Sequence, residues 1–340
     1  MSSGESALTD VVLPQQIHEA IDEFLNTRAE KNLRLKLGYR VLFSRELAEY
    51  LDGRKVTWYR YDLETLVVKA RTPVHDALTK FANDSYEHWA EYMPQNLLEH
   101  LSLDSNQRRD KRRERQNEAM SPEMISDAAF VLKDPQTGEC FSTVVFLAAL
   151  SQNSSELDRM GSWFLRNEAR VVITAHVFED RRQLEYTKDL LESKKRIISL
   201  LTKFGNDRTI ELRQDMMREL PPSEIEPVAY SPIPQGDTQL EQEMFTQIKA
   251  EVQIQDWVGP LNPRIFVSKG THDCIADHGA FWDYTLYPGD LIPYRLHGHF
   301  PDFDKTHGLK LNAADCDAML RDTSIELAAR RATAFLRPPP

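Results

Sequence analysis

The segment spanning residues 270–308 concentrates side chains that bind cations. It holds five of the ten histidines of the chain, together with six aspartates and one cysteine. Imidazole, carboxylate and thiolate groups are the ligands that zinc and iron use in proteins. The composition of this segment therefore predicts a cation site, with Zn or Fe as the metal.

Within this segment, His297 and His299 form the best-spaced pair of ligands. On a β-strand, residues i and i+2 point to the same face, so both imidazoles could reach one ion. Asp302, Asp304 or His307 would supply a third ligand after the turn that follows. Two histidines and a carboxylate suit a divalent metal with open positions for a substrate.

A second set of ligands lies earlier in the same segment and consists of His272, Asp277 and His278. A loop could bring them together, whereas a single helical face could not. A metal site in this segment predicts a hydrolase or an oxygenase. With the metal at His297 and His299, Asp273 or Asp277 would be the general base. The alternative is that these histidines and acids are solvated surface groups.

A run of basic residues near position 110 is the one candidate for binding phosphate groups. It comprises Arg108, Arg109, Lys111, Arg112, Arg113 and Arg115. Such a run would serve a nucleic-acid-associated regulator or a nuclear-import signal. No aromatic residue flanks it to stack on bases, and the net charge of −11 opposes general binding to nucleic acid. We favour a solvated helical joint between domains.

The motifs of common enzyme classes are absent from the sequence. There is no phosphate-binding loop, no dinucleotide fingerprint, no Gly-x-Ser-x-Gly turn, no His-Glu-x-x-His and no Cys-x-x-Cys. We therefore favour a non-catalytic interaction or assembly protein, which binds a protein partner or forms a homo-oligomer. The metal-dependent enzyme and the nucleic-acid-associated regulator are the alternatives.

Composition places the chain of 340 residues among soluble globular proteins, since 41% of its residues are hydrophobic and 28% are charged. No apolar run approaches the length that spans a bilayer, so we expect no membrane partner. The three cysteines are few and odd in number, which favours a reducing compartment. We expect a cytoplasmic protein, with the nucleus as the alternative.

The elements that would position these residues can be read from apolar spacing. In the N-terminal third, the pattern predicts a helix over 13–36, a strand over 39–43, a helix over 44–51, strands over 55–61 and 66–70, and a helix over 74–103 that is broken or kinked at Pro94. The remainder predicts a hairpin of 128–133 and 140–150, a strand over 170–178, helices over 180–205, 209–220 and 238–257, a strand over 263–269, and a closing helix over 313–336.

These elements predict an α+β fold in two to three parts, with mixed small sheets, several long amphipathic helices and a loop-rich β segment near the C-terminus. The predicted parts are an N-terminal unit (1–105) that would suit a winged-helix-like arrangement, a basic joint (106–121), a central α/β unit (122–220), a Pro-rich linker (221–236) and a C-terminal unit (237–340).

Overall fold

The computed structural model describes residues 14–26, 33–54, 58–60, 64–69, 72–105, 108–109, 124–150, 154–167, 169–221, 238–271, 274–280, 284–287, 292–300, 309–311 and 313–337. Its helices are α1 (Gln15–Asn26), α2 (Tyr39–Leu42), α3 (Arg45–Gly53), α4 (Pro73–Ala90), α5 (Gln95–Leu98), α6 (Ser154–Asn167), α7 (Arg181–Asp189), α8 (Leu191–Phe204), α9 (Ile210–Arg218), α10 (Thr238–Glu251), α11 (Ile254–Trp257) and α12 (Ala313–Leu336). None of the helices in the described ranges has both the length and the apolar character needed to cross a membrane.

The strands are β1 (Leu33–Lys36), β2 (Trp58–Arg60), β3 (Thr65–Val68), β4 (Leu101–Ser105), β5 (Arg108–Arg109), β6 (Met124–Ile125), β7 (Ala128–Lys133), β8 (Cys140–Leu150), β9 (Val171–Glu179), β10 (Leu261–Thr271), β11 (Cys274–Ala280), β12 (Tyr284–Leu286) and β13 (Leu309–Leu311). Two 3-10 helices span Asp207–Thr209 and Tyr294–His299.

A six-stranded sheet is the largest layer of the fold, with the strand order β11-β10-β9-β8-β7-β4. Its neighbouring strands are antiparallel except for β8 and β9, which are parallel and are connected through α6. A parallel pair requires such a crossover, because a tight turn cannot return the chain to the same end of the sheet. Three smaller sheets have the orders β1-β3-β2, β12-β13 and β5-β6.

The two faces of the six-stranded sheet pack against different elements. On one face, α4, α8, α10 and α12 share a large apolar core with Phe130, Phe146 and Ile173. On the other face, α6 places Met160 and Phe164 in a smaller core with residues of β7, β8 and β9. Among the described residues, this smaller core contains none from β10. The surface of the sheet at β9 and β10 is therefore open beside α6.

The N-terminal elements form a third core of their own. Helices α1 and α3 and the three-stranded sheet contribute its buried side chains, among them Ile21, Leu47, Trp58 and Leu66. Ser44 caps α3, since its Oγ accepts a hydrogen bond of 3.2 Å from the N–H of Leu47.

Several predicted elements are confirmed. The structure contains the hairpin of β7 and β8, the strand β9 and the closing helix α12, and the α+β class is correct. The helix predicted over 180–205 is divided into α7 and α8. Asp180 begins α7, as its Oδ1 accepts a hydrogen bond of 3.0 Å from the N–H of Gln183.

One prediction in the N-terminal third is wrong, and two others are wrong over part of their length. The predicted strand over 39–43 begins instead with helix α2, in which the N–H groups of Val41 and Leu42 bond to the carbonyl oxygen of Gly38. The helix predicted over 13–36 is described as α1 over Gln15–Asn26, whereas Leu33–Lys36 form β1 instead, which pairs with β3. The helix predicted over 74–103 is divided near Pro94, as expected, into α4 and α5, but its last three residues belong to β4, which pairs with β7. In the last two cases, pairing with distant strands overrides the local apolar spacing.

The pairing of β4 with β7 also bears on organisation, because the six-stranded sheet takes strands from both sides of the joint expected at 106–121. The domain boundaries themselves stay predictions.

Candidate functional site

The two best-spaced histidines do not lie on a strand. His297 and His299 belong to the 3-10 helix Tyr294–His299, in which residues i and i+2 point in different directions. The Nε2 atom of His297 lies 2.9 Å from the carbonyl oxygen of Ile292, so that nitrogen already has a hydrogen-bond partner. The expectation that His297 and His299 share one face of a strand is therefore wrong.

The other predicted ligands lie largely outside the described ranges. This holds for His272, Asp302, Asp304 and His307, whereas Asp277 and His278 lie on β11. Within the described residues, no group of three or more His, Cys, Asp or Glu side chains could hold a metal ion. A Zn or Fe site that uses residues beyond those ranges stays a prediction.

The basic run is described for its first two residues alone. Arg108 and Arg109 form β5 and pair with Ile125 and Met124 of β6. Lys111, Arg112, Arg113 and Arg115 lie outside the described residues. Contact with nucleic acid therefore stays a prediction as well.

A cluster of buried polar residues, the polar junction, joins β3, α4 and β7. It consists of Lys69, Thr72, His75 and Asp127. The Nζ atom of Lys69 donates to Oδ1 of Asp127 over 2.7 Å, and the N–H of Ala148 donates to Oδ2 over 2.6 Å. The Nδ1 atom of His75 lies 2.8 Å from Oγ1 of Thr72. Because its charged groups are paired, we assign the polar junction a structural role.

A cavity of about 430 Å³ lies between α6 and the open surface of the six-stranded sheet. We call it the His176 cavity. Its helical wall is formed by four residues of α6: Asp158, Gly161, Ser162 and Leu165. Its floor is formed by alternating residues of two paired strands, namely Thr174, His176 and Phe178 of β9 and Arg264, Phe266 and Ser268 of β10.

The alternation in β9 explains why these side chains share the cavity. Successive residues of a strand point to opposite faces, so every second residue faces the same side. Ile173, Ala175 and Val177 are buried in the large core on one face. Thr174 and His176 consequently face the side of α6, where they line the cavity.

His176 is the titratable residue among the three buried polar residues of the cavity floor, which also include Thr174 and Ser268. Its side chain is 5% exposed, and its Nε2 atom is buried without a hydrogen-bond partner among the described residues. Oδ1 of Asp158 lies 3.8 Å from Nε2, which is too far for a hydrogen bond. Burial lowers the pKa of His176 below its usual value of 6.5, and the carboxylate of Asp158 opposes that shift. The imidazole is therefore neutral at neutral pH.

Aromatic rings surround this imidazole. The ring of Phe178 stacks on that of His176 with 6.1 Å between centroids, and the ring of Phe266 meets it edge-on at 5.4 Å. The guanidinium carbon of Arg264 lies 5.4 Å from the centroid of Phe178, which is a cation–π distance. Arg264 is also the cross-strand partner of His176.

The sequence contains a signal for this site that motif searching does not detect. After its first residue, Arg170, the predicted strand over 170–178 is apolar except for Thr174 and His176, and these two polar residues alternate with apolar ones. A histidine within an apolar strand has to find a hydrogen-bond partner or a cavity. The partners on α6 and β10 are distant in sequence, so Asp158 and Arg264 could not be assigned to the site before the structure was known.

The polar junction and the His176 cavity differ in character. In the polar junction, the charged groups are matched with partners inside the protein. In the His176 cavity, the imidazole lines a space of ligand size, and its Nε2 atom is buried without a hydrogen-bond partner among the described residues. Comparisons with models of protein families, with curated proteins and with solved structures found no match to this chain.

Proposed function

We propose that this chain is a non-catalytic binding protein, and that the His176 cavity is its site for a small molecule. The observation that carries the proposal is the Nε2 atom of His176, which is buried without a hydrogen-bond partner among the described residues. A buried polar atom without a partner costs about 1–3 kcal/mol. A ligand that forms a hydrogen bond with Nε2 would offset this cost.

The dimensions and lining of the cavity support the same conclusion. Its volume of about 430 Å³ falls in the usual range for small-molecule sites, about 300–1,000 Å³. Its lining combines apolar surface from Phe178, Phe266 and Leu165 with the hydroxyl groups of Ser162 and Ser268. Small-molecule sites typically combine a mostly apolar surface with a few polar groups that orient the ligand.

The same geometry argues against nucleophilic catalysis at this site. A serine nucleophile needs a base within hydrogen-bond distance, and that base needs an orienting group. Ser162 and Asp158 both line the cavity, yet Nε2 of His176 forms a hydrogen bond with neither of them. The three residue types of a catalytic triad are present without the contacts that would activate the serine.

Binding can be tested with ligand-observed NMR and four probes of similar size: benzamide, 3-phenylpropionate, phenethylamine and L-phenylalanine. They represent neutral, acidic, basic and zwitterionic compounds. The wild-type chain is compared with Ser162→Trp, in which an indole would fill the cavity from α6. Arg166→Trp is the matched control, because Arg166 is exposed on the same helix and does not line the cavity.

We expect at least one probe to bind to the wild-type chain and to Arg166→Trp, and to lose its signal with Ser162→Trp. Circular dichroism and the unfolding temperature establish that both variants are folded. If no probe binds, or if a folded Ser162→Trp variant binds as the wild type does, the proposal is wrong.

A further inference from the structure

Two residues of opposite charge, Asp158 and Arg264, lie on different walls of the His176 cavity. Asp158 lies on α6 with 60% of its side chain exposed, and Arg264 lies on β10 and is also exposed. Among the described residues, no salt bridge joins the two side chains; the one ionisable group within 4 Å of Asp158 is His176. The cavity therefore presents one carboxylate and one guanidinium that do not neutralise each other.

The imidazole of His176 connects these two charges in space. Its Nε2 atom lies 3.8 Å from Oδ1 of Asp158. Its residue is paired with Arg264 across the strands β9 and β10, which brings the two Cβ atoms to about 4.5–5.5 Å from each other. A small ligand in contact with the imidazole would consequently be within reach of both charges.

The remaining surface of the cavity is suited to an apolar group. The rings of Phe178 and Phe266 contact the imidazole, and Leu165 of α6 faces them from the other wall. The guanidinium of Arg264 rests against the ring of Phe178, an arrangement that limits the directions it adopts. An aromatic or aliphatic side chain would exclude water from this surface.

From this arrangement we infer that the ligand is a zwitterion with an apolar side chain, of the class of the α-amino acids. The inference rests on the proposed binding function. The ammonium group of the ligand would face Asp158, its carboxylate would face Arg264, and His176 would form a hydrogen bond through Nε2. A ligand with one charge would gain one favourable contact and meet one like charge, which opposes binding.

Three of the probes separate the contributions of the ammonium group and the carboxylate, because all three contain the same phenethyl group. Phenethylamine is L-phenylalanine without its carboxylate, and 3-phenylpropionate is L-phenylalanine without its ammonium group. Dissociation constants are measured by NMR titration. For the wild-type chain, we expect L-phenylalanine to bind about tenfold more tightly than either singly charged probe, a difference of about 1.4 kcal/mol.

Two charge variants test the assignment of each group. In Asp158→Asn, the acidic probe no longer meets a like charge, so the preference for L-phenylalanine over 3-phenylpropionate should decrease. In Arg264→Gln, the preference for L-phenylalanine over phenethylamine should decrease for the corresponding reason. Arg182→Gln, on the exposed surface of α7, is the matched control and should leave all preferences unchanged.

The outcomes distinguish this inference from the proposed function. If benzamide or a singly charged probe binds to the cavity as tightly as L-phenylalanine, the zwitterion inference is wrong and the binding function stands. The same holds if the two charge variants leave the preferences of the wild type unchanged. If none of the four probes binds, the binding function itself is contradicted.

Discussion

The ammonium group of Lys69 lies 2.7 Å from Oδ1 of Asp127, and both side chains are less than 10% exposed. Lys69 directly follows β3 of the N-terminal three-stranded sheet, and Asp127 directly precedes β7 of the six-stranded sheet. The ion pair therefore connects the two sheets. Burial raises the pKa of Asp127, but Lys69, His75 and the N–H of Ala148 together lower it by more, so the pKa of this carboxyl lies below its usual value. The pair thus fixes one region of the fold against another.

Removing one partner of this pair should destabilise the protein strongly. Asp127→Asn or Lys69→Met would leave a buried charge without its counterpart, so we expect a loss of about 3–5 kcal/mol in the free energy of unfolding. Urea denaturation measures this loss. Asp215→Asn is the control, because it removes an exposed ion pair with Arg218 and should cost at most about 1 kcal/mol. Equal losses in the buried and exposed pairs would contradict the assigned structural role.

Two buried histidines should make the stability depend on pH in the mildly acidic range. Burial lowers the pKa of both His75 and His176 below 6.5. As the pH falls through 6.5, the unfolded chain binds protons that the folded chain does not, so the free energy of unfolding decreases. Above pH 6.5 both imidazoles are neutral in the folded and in the unfolded chain, so the free energy of unfolding keeps its full value there.

The measurement for this prediction is urea denaturation at about pH 7.5 and about pH 5.5, on either side of the usual histidine pKa. The difference between the two free energies of unfolding should be smaller in the double variant His75→Gln/His176→Gln than in the wild type. The exposed His88 offers a control, and His88→Gln should retain the wild-type difference. An unchanged difference in the double variant would show that the two buried histidines do not cause the effect.

Two glycines should respond in opposite ways to the same substitution. A Cβ atom at Gly161, within α6, would lie 3.5 Å from Val172 Cγ1 and 3.7 Å from Thr174 Cγ2, which are ordinary contacts. Alanine also favours a helix over glycine by about 1 kcal/mol, so Gly161→Ala should stabilise the protein by up to about that amount. Thermal unfolding followed by circular dichroism measures the change.

At Gly259, by contrast, a Cβ atom would lie 2.2 Å from the carbonyl oxygen of Asp180. The backbone would have to move, although the N–H of Gly259 is held by Glu179 and the N–H of Asp180 by Pro260. We expect Gly259→Ala to lower the free energy of unfolding by about 1–3 kcal/mol. A variant as stable as the wild type would show that the close approach of this backbone is not required.

The sequence predicted those elements whose signal is local. Residues 170–178 and the hairpin of β7 and β8 were predictable because runs of β-branched and aromatic residues favour strands. The short segment Tyr39–Leu42 contains the same residue types but forms a helix. Four residues are too few to show a helical or a strand period, so the sequence could not distinguish the two. Strands β1 and β4 depend on partners that are distant in sequence.

The candidate site was less predictable for the same reason. His176 could be recognised as a polar residue in an apolar strand, but the cavity next to it depends on how α6 packs over β9 and β10. Asp158, His176 and Arg264 come from three elements that the sheet topology brings together. Motif spacing instead predicted a site at His297 and His299, which lie on a 3-10 helix.

If the His176 cavity binds a small molecule through its buried imidazole, binding should change the signal of that imidazole. The most direct test is nitrogen NMR of the His176 side chain during titration with benzamide, 3-phenylpropionate, phenethylamine and L-phenylalanine. We expect the Nε2 resonance to shift with at least one probe, most strongly with L-phenylalanine, and to stay unchanged in Ser162→Trp. If none of the four probes shifts the Nε2 resonance in the folded wild-type chain, binding of a small molecule through His176 is contradicted.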